Sequence, residues 1–593
     1  MENHLLGLLK SCKIFSSLNN VELENILNKF DEVSLDKDKF LFEQGETSNS
    51  LYVLVKGKLA IFIKKENNKT NFITEIESGE TVGELAALSH EPRSFTVKSI
   101  EDSILLKLSS EAFIEICSHH PSASIEMINN ILSRTRSLVK IISSVSNIKK
   151  HVGFIQANHK TDLKIFFEEI KKYVDDDILL LSDFDAIDSE IHSLIDKSQK
   201  QEKSILYFLS SFDTDLAKIA FANMDSLYII GNPDPIPEIY DRIINKINNK
   251  THQFKPELIL FHQNKIKPKH TIKWLKLLNF KMHQHIRIDY ENDWHRLIRF
   301  IRGKAVGLVL GGGGLRCWLH LGVVTALIKA NIPIDVIGGT SSGAIAAGYY
   351  AMYGAPQKKD KILDELADIV RQTISLKNLT WPAISFFSGK YYTEKLQSIF
   401  GKTRIENLCT PCFFISCNLT KSKQIVIRKG YVWKGIRSST AIPAIYPPVV
   451  IKGKLHLDGG IMNNLPVDIM KKIMGQGGTV IAAKLSTNNE DKKKYNFPPI
   501  LTPLKTFLAK FSLGYKGYVF PSFIDTFLNS LLAGSIRIEN ENSLITDILI
   551  APDLSQYSML NVSKKQQDEL IKLGYKSTIK AINKWNKLKF NKI

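Results

Sequence analysis

Ser341 has the sequence surroundings of an activated nucleophile. It is the central residue of a G-x-S-x-G pentapeptide, in which Gly339 and Gly343 are the small flanking residues. A sharp turn from a strand to a helix, which lifts a serine hydroxyl above a sheet, needs such small neighbours. We therefore expect Ser341 at the N-terminus of a helix, where free N–H groups favour a nearby negative charge.

Two further motifs supply the other groups that acyl transfer requires. A run of four glycines, residues 311–314, precedes the pentapeptide, and Asp458 follows it together with Gly459 and Gly460. Backbone N–H groups of a glycine-rich loop can approach and stabilise the oxyanion that forms on a carbonyl oxygen. The candidate donors are the N–H groups of Gly312, Gly313, Gly314 and Leu315. The three motifs in this order predict a serine hydrolase.

The segments around these motifs have the patterns of the elements that must position them. Residues 305–310 form an apolar run typical of a buried strand, and residues 319–330 after the glycine loop have a helical pattern. Residues 334–337 predict a second strand before the pentapeptide, and the small residues 344–347 can begin a packed helix. Both motifs are therefore expected on strand-to-helix turns.

These residues resemble the patatin-like phospholipase family, and within it the neuropathy target esterase branch. The resemblance continues through residues 437–443, 446–448 and 463–466. It implies an α/β/α hydrolase fold over residues 301–593 and a Ser-Asp dyad, with Ser341 as nucleophile and Asp458 as base. It also implies fatty-acyl esters of phospholipids or lysophospholipids as substrates, with no cofactor in catalysis. Supporting roles then fall to Arg316, Gly339, Gly343, Gly459 and Gly460, and Cys317 departs from the glycine that is usual in the family.

A purely structural interpretation stays open for each motif. Ser341 can be a helix cap, the glycines a tight turn, and Asp458 the first residue of a turn. We assign no chemistry to His320, because a lone histidine behind such a loop is more often a hydrogen-bonding core residue.

Residues 1–145 have a different pattern, with short strand-like runs at 40–42, 51–55 and 59–63 between glycine turns. They predict a compact antiparallel β-roll. The segment that follows resembles the phosphate-binding cassette of cyclic nucleotide-binding domains, and the matching residues are Gly83, Glu84, Arg93 and Ser94. The resemblance implies that the arginine and the N–H groups hold a cyclic phosphate and that the glutamate accepts from the ribose. Cyclic AMP or cyclic GMP is then a regulator.

Val82 and Phe95 depart from that cassette, so two alternatives stay open. In the first, the roll regulates by contact without a nucleotide, and Arg93 and Glu84 form a surface ion pair. In the second, the roll is the active part, and the protein is a cyclic nucleotide-responsive sensor or scaffold whose hydrolase domain is inert.

Between these regions, residues 150–300 alternate strand-like and helix-like segments, which predicts a parallel α/β region that bridges the two. It contains neither a P-loop nor a G-x-G-x-x-G motif, so no nucleotide chemistry is predicted for it. Its histidines, which include His283, His285 and His295, favour a packed polar junction over a metal site.

Composition restricts the partners. Lys and Arg number 79 against 60 acidic residues, a net charge of +19 that favours an anionic partner. Because no nucleic-acid-binding motif is evident, we expect an anionic membrane surface and no nucleic acid. Six scattered cysteines, no signal peptide and no long apolar stretch predict a cytoplasmic, peripherally membrane-associated protein. The apolar stripe in residues 501–511 fits either a lipid surface or a core, and the basic tail 587–592 either headgroups or solvent.

Overall fold

The computed structural model divides into two compact units, Met1–Asn147 and Ile148–Ile593. It describes residues 2–12, 15, 18–47, 49–64, 70–83, 92–119, 151–184, 194–195, 197–198, 201, 203–211, 213–233, 239, 241, 243, 255–263, 267–354, 376–475, 477–486, 496–502, 523–559 and 562–590. Glu84, most of the stripe at residues 501–511 and the last residues of the basic tail lie outside this described part. The predicted division into three domains, residues 1–145, 150–300 and 301–593, stays a prediction.

The N-terminal unit is the predicted antiparallel β-roll. In chain order its elements are α1 (Glu2–Ser11), α2 (Asn20–Leu27), β1 (Phe30–Leu35), β2 (Phe40–Phe42), β3 (Ser50–Lys56), β4 (Leu59–Lys64), β5 (Thr70–Ile76), β6 (Thr81–Val82), β7 (Thr96–Ser99), β8 (Ser103–Ser109) and α3 (Ser110–His119). Two four-stranded sheets, β1-β8-β3-β6 and β2-β7-β4-β5, are antiparallel throughout. Alternating apolar residues of both sheets bury a shared core that includes Leu54, Leu59 and Val97.

The second unit begins with the predicted parallel α/β region. Its elements are β9 (His151–Gln156), α4 (Leu163–Lys171), β10 (Ile178–Ser182), β11 (Ser204–Leu209), α5 (Asp215–Asn223), β12 (Ser226–Gly231), β13 (Glu257–His262), α6 (Thr271–Trp274), β14 (His283–Arg287) and α7 (Glu291–Ile301). The strand order is β10-β11-β9-β12-β13-β14, and every pair is parallel. Each face of the sheet has its own apolar core. Helices on both faces explain why its central strands are continuously hydrophobic.

The rest of the second unit is built on an eight-stranded sheet. Its elements are β15 (Val306–Leu310), α8 (Trp318–Lys329), β16 (Val336–Thr340), α9 (Ser342–Tyr353), α10 (Lys390–Phe400), β17 (Cys412–Asn418), β18 (Lys423–Ile427), α11 (Val432–Ser439), β19 (Val449–Ile451), β20 (Lys454–Asp458), α12 (Val467–Met474), β21 (Thr479–Ala483), α13 (Phe523–Leu544), β22 (Ile548–Ile550) and α14 (Lys564–Phe590). Short 3-10 turns lie at Gly314–Cys317, Leu376–Asn378, Ile405–Asn407, Leu419–Lys421 and Gly459–Ile461.

This sheet is parallel at its centre and antiparallel at one side. Its order is β19-β20-β17-β16-β15-β21-β22, and β18 also pairs with β17. The strands β17, β16, β15, β21 and β22 are parallel, whereas β18, β19 and β20 join antiparallel. Helices α8, α9, α10, α11 and α14 contribute to the core on one face, and α12 with the end of α7 contributes to the core on the other. The result is the predicted α/β/α architecture.

The predicted elements around the motifs are present with small shifts. The second strand begins at Val336 and runs to Thr340, so it reaches Ser341 directly, whereas the prediction ended at residue 337. The last three residues of the strand were not predicted, because they include Gly338 and Gly339 and glycine weakens the sequence pattern of a strand. None of the helices in the described part of the chain combines the length and the apolar composition that crossing a bilayer requires.

Candidate active site

Ser341 lies on the sharp turn that the pentapeptide predicts. It stands between β16 and α9 with φ 52° and ψ −124°, a conformation that side-chain-bearing residues rarely adopt. A Cβ on Gly343 would collide with the carbonyl oxygen of Leu310, and a Cβ on Gly339 would collide with the backbone of Gly343. The flanking glycines are therefore required by close backbone packing, and the fold holds the Ser341 hydroxyl in a strained turn above the sheet.

The hydroxyl of Ser341 donates a hydrogen bond of 2.7 Å to Oδ2 of Asp458. The other carboxylate oxygen of Asp458 accepts the N–H of Gly460, also at 2.7 Å. A Cβ on Gly459 would collide with the carbonyl oxygen of Ile415, so this glycine lets the Asp458 turn lie against β17. Both oxygens of the carboxylate are thus held in fixed directions, and one of them faces the serine.

Burial makes Asp458 an unusual carboxyl group. The side chain is almost completely buried, and this burial raises its pKa to about 6, although the hydrogen bonds from Gly460 and Ser341 oppose the rise. A carboxylate with a higher pKa is a stronger base. At neutral pH Asp458 is therefore ionised and is a stronger base than an exposed aspartate.

Three residues of the glycine loop line one small cavity together with Ser341 and Asp458. The cavity has a volume of about 60 Å³, and its lining includes Gly312, Gly313 and Gly314. Leu315 is buried, and among the described residues it does not line this cavity. The structure thus brings Ser341, the carboxylate of Asp458 and most of the predicted oxyanion loop together.

The N–H groups of the loop differ in what they bind. Gly312 donates to the carbonyl of Asn464 at 3.3 Å, and Leu315 donates to the carbonyl of Met559 at 2.7 Å. Gly313 donates to the hydroxyl of Ser342 at 3.1 Å. In the described part of the chain no acceptor is recorded for the Gly314 N–H. Gly313 and Gly314 are therefore the donors most readily offered to a ligand, because a hydroxyl can rotate away and a backbone carbonyl cannot.

Arg316 and His320 hold the loop from behind. Arg316 is buried and donates to the carbonyls of Tyr557 at 2.8 Å and Leu485 at 3.4 Å. His320 donates from Nε2 to the carbonyl of Gly311 at 2.8 Å, and burial lowers its pKa to about 4, so it is neutral. These contacts place both residues behind the loop, where His320 is the hydrogen-bonding core residue that was expected and Arg316 fits the supporting role that the resemblance implies.

Cys317 lies in the 3-10 turn that leads from the loop into α8. It packs against the hydrophobic core beneath the sheet, and burial raises the pKa of its thiol to about 12. The thiol is therefore neutral and does not act as a second nucleophile.

Several residues at this site carry no motif signal of their own. Asn464 donates to the carbonyl of Gly312 at 3.2 Å, and the hydroxyl of Ser439 accepts the N–H of Ser341 at 3.0 Å. Leu531 and Leu532 on α13 also line the cavity. Asn464 and Ser439 lie in the segments that carry the family resemblance, which was the available signal. Leu531 and Leu532 lie in an apolar helix that could equally belong to a core.

The predicted nucleotide site lies in the N-terminal unit. Arg93 is buried there, and its guanidinium donates to the carbonyls of Gly83 at 3.2 Å and Ser50 at 2.9 Å. The guanidinium also lies 4.0 Å from the ring centre of Phe42. Gly83 has φ 88°, Ser94 is exposed, and Glu84 lies outside the described residues. Arg93 is therefore not a surface residue, and backbone carbonyls of Gly83 and Ser50 hold its guanidinium.

His262, His283 and His285 of the bridging region form a packed polar junction with the eight-stranded part. His295, which was predicted to belong to it, is exposed on α7 and does not. His262 and His285 are 2.9 Å apart at Nε2 and Nδ1, and the Nε2 atoms of His285 and His283 each lie 2.9 Å from the carbonyl of Glu406. Burial lowers the pKa of His262 and His283 to about 4, so the junction is neutral. The described residues include no group of three or more His, Cys, Asp or Glu arranged to hold a metal ion.

Two family models match the chain. The patatin-like phospholipase model matches residues 308–471, which include the glycine loop, Ser341 and Asp458. The cyclic nucleotide-binding domain model matches residues 32–120 of the roll. Among solved structures, a cyclic AMP-bound PfPKA-R fragment is 30% identical over 19% of this chain and 41% of its own. Its TM-score is 0.19.

Curated relatives align with most of the chain. Patatin-like phospholipase domain-containing protein 6 of Pongo abelii is 25% identical over 78% of this chain and 38% of its own length. Protein 7 of Rattus norvegicus has the same identity and coverage, and lysophospholipase nte1 of Neurospora crassa is 24% identical over 92% of this chain and 41% of its own. The chain spans about two fifths of the length of these relatives. It contains a cyclic nucleotide-binding domain and a patatin-like phospholipase domain, and it is a homologue of these proteins.

Proposed function

We propose that this protein is a serine acyl hydrolase that cleaves fatty-acyl esters of glycerophospholipids or lysophospholipids. The observation that carries the proposal is the 2.7 Å hydrogen bond from the Ser341 hydroxyl to Asp458 at a strained turn beside a glycine loop. A serine that only caps a helix has no need of a buried carboxylate with a raised pKa. A nucleophile that must lose its proton does.

In the proposed reaction, Asp458 accepts the proton of Ser341 while the serine oxygen attacks the ester carbonyl. The tetrahedral intermediate collapses, the alcohol leaves with a proton from Asp458, and the fatty acyl group stays on Ser341. A water molecule then gives its proton to Asp458 and attacks the acyl-enzyme. The bond between the acyl carbon and the Ser341 oxygen breaks, the fatty acid leaves, and Asp458 returns the proton to Ser341. These steps use the two side chains, backbone N–H groups and water.

The glycine loop is proposed to hold the negative charge that develops on the carbonyl oxygen. The predicted donors were the N–H groups of residues 312–315. Of these, Gly313 and Gly314 fit best, because they line the cavity and are not held by backbone carbonyls in the described structure. Removing one such donor typically costs about 100-fold or more in rate.

The lining of the cavity supports an apolar acyl group next to the reacting carbonyl. Ile442, Ile461, Leu531, Leu532 and Met559 surround the polar centre. A volume of about 60 Å³ holds only a few water-sized groups, so a long acyl chain requires movement of the side chains on α13 or an exit from the cavity. Two of the relatives above bear the name patatin-like phospholipase and one the name lysophospholipase, and both substrate classes belong to the proposal.

The proposal includes where the protein acts and what regulates it. The net charge of +19 favours an anionic membrane surface, with the protein on the cytoplasmic side and without nucleic acid as a partner. The match of the roll to cyclic nucleotide-binding domains supports cyclic AMP or cyclic GMP as a regulator.

A fluorophosphonate probe tests the nucleophile. The wild type should be labelled, Ser341→Ala should not, and Ser530→Ala, which removes an exposed hydroxyl on α13, should be labelled like the wild type. An unlabelled, folded wild type would favour the alternative of a cyclic nucleotide-responsive protein with an inert hydrolase domain. Mass spectrometry of the products from a mixed phospholipid and lysophospholipid panel, with and without cyclic nucleotide, then identifies the substrate class.

A further inference from the structure

A short hairpin between α9 and α10 exposes large apolar side chains. We call residues 378–388 the tryptophan hairpin. Trp381 is 85% exposed, Ile384 70%, Leu379 51% and Phe386 46%. Single exposed apolar residues are common on protein surfaces, but four within eight positions form a patch that calls for a partner.

The fold holds this hairpin in a defined shape. The Thr380 N–H donates to the carbonyl of Phe386 at 2.9 Å, and the Ser388 N–H donates to the carbonyl of Asn378 at 3.0 Å. An isolated bridge also pairs Leu379 with Phe387. The apolar tip is therefore presented by a closed backbone ladder, and little ordering entropy remains to be lost when it meets a partner.

The base of the hairpin is attached to the wall of the Ser341 cavity. The N–H groups of Phe386 and Phe387 donate to the carbonyls of Ala444 and Ile445 at 2.7 and 3.1 Å. Residues 442–443, directly before this attachment, line the cavity. Whatever surface the hairpin contacts therefore lies beside the proposed reaction centre.

Charge distinguishes between classes of partner. Residues 376–393 contain no Asp or Glu, and Lys377 and Lys390 near the two ends of the hairpin are exposed. Lys390 also lies 4.0 Å from the exposed carboxylate of Glu394. A tryptophan at an apolar tip with lysines at its base is the arrangement that favours the interface of an anionic bilayer. Four side chains are also far fewer than the roughly 20–30 residues that each partner of a stable protein interface typically contributes.

We propose that the tryptophan hairpin inserts its tip into the interfacial region of an anionic lipid bilayer and so places the Ser341 cavity against the lipid surface. The inference rests on the proposed function for its purpose, because a phospholipid must pass from the bilayer into the cavity. The docking itself rests on the exposure, the closed backbone and the charge of the hairpin.

Vesicle flotation tests the docking separately from turnover. The protein carries Ser341→Ala in every sample, and the vesicles are phosphatidylcholine alone or phosphatidylcholine with phosphatidylglycerol. The double variant Trp381→Ala/Ile384→Ser should bind the anionic vesicles about tenfold more weakly, because two apolar side chains no longer leave water. The matched control is Leu544→Ser, which removes a side chain that is also 85% exposed, on α13, and should bind like the parent.

Two results would overturn the proposal. The first is equal vesicle binding by the double variant and its parent. The second is a dimer in light scattering that the double variant converts to a monomer, since the hairpin would then dock on a second copy of the chain. Hydrolysis of a water-soluble 4-nitrophenyl ester, measured with Ser341 restored, should be the same in the double variant and the wild type. If the wild type itself does not hydrolyse the 4-nitrophenyl ester, this result counts against the proposed function. The result of the vesicle experiment is then still valid.

Discussion

The side-chain amide of Asn464 donates a hydrogen bond of 3.1 Å to the carboxylate of Glu539, a residue 75 positions later on α13. The same amide nitrogen donates to the carbonyl of Gly312, and Glu539 also accepts from Ser486 and lies 3.6 Å from the ammonium of Lys484. All of these side chains except Ser486 are buried. A helix outside the sequence motifs is thus tied to the backbone of the glycine loop.

Replacing Glu539 should therefore affect the loop as well as stability. Glu539→Ala leaves Lys484 buried without its carboxylate and frees Asn464, so we expect a loss of about 3 kcal/mol in unfolding free energy. We also expect kcat for a soluble ester to fall about tenfold with KM almost unchanged, because a loose loop weakens oxyanion stabilisation more than ester binding. Glu541→Ala on the same helix removes an exposed carboxylate and serves as the control. Loss of stability with unchanged kcat would assign Glu539 a structural role only.

Asp458→Asn tests the proposed base. The amide can still accept the N–H of Gly460, but it cannot take the proton of Ser341, so we expect kcat to fall by roughly a factor of 100 to 10,000. Because the variant no longer buries a charge, its thermal midpoint should not be lower than that of the wild type. Circular dichroism and ester hydrolysis measured on one sample check both parts. Substantial hydrolysis by a folded Asp458→Asn protein would rule out the dyad.

The raised pKa of Asp458 predicts the pH dependence of hydrolysis. Only the ionised carboxylate can accept a proton, so kcat/KM should be level above pH 7 and fall tenfold for each unit below about pH 6. His320, whose pKa is lowered to about 4, does not contribute in this range. Rates for a soluble ester between pH 4.5 and 8 give the profile. A level profile down to pH 4.5 would mean that the group with the raised pKa is not the base.

The cyclic nucleotide prediction depends on whether Arg93 can exchange its present partners for a phosphate. Isothermal titration calorimetry with cyclic AMP and cyclic GMP should show binding. Arg93→Ala should weaken this binding at least about tenfold, because the paired N–H donors of the charged guanidinium are lost. Lys98→Ala, which removes a half-buried cation of β7 that pairs with Asp38 in the same unit, should bind like the wild type. No heat at millimolar nucleotide would leave regulation by contact as the interpretation of the roll.

How much could be predicted from sequence depends on the distance along the chain over which each feature forms. The turn at Ser341 was predictable, because a strand, small residues and a helix follow one another within a few positions. The β-roll, the parallel bridging sheet and the α/β/α region were predictable as classes for the same reason: their strands and helices have local hydrophobic patterns. The hydrogen-bond partners of the glycine loop were not, because Met559 and Asn464 lie far away in sequence and nothing in their local sequence indicates a contact with this loop.

The chain alone therefore determined which groups are capable of the chemistry: a serine between glycines, an aspartate before two glycines, and a loop able to expose its N–H groups. Only the tertiary structure decided that they meet. Thr340 pairs with Ile415 and Asp458 pairs with Ser416, so β17 holds the ends of β16 and β20 at adjacent positions. The physical reason is that strand order and register arise from long-range backbone pairing and side-chain burial, which no short segment specifies.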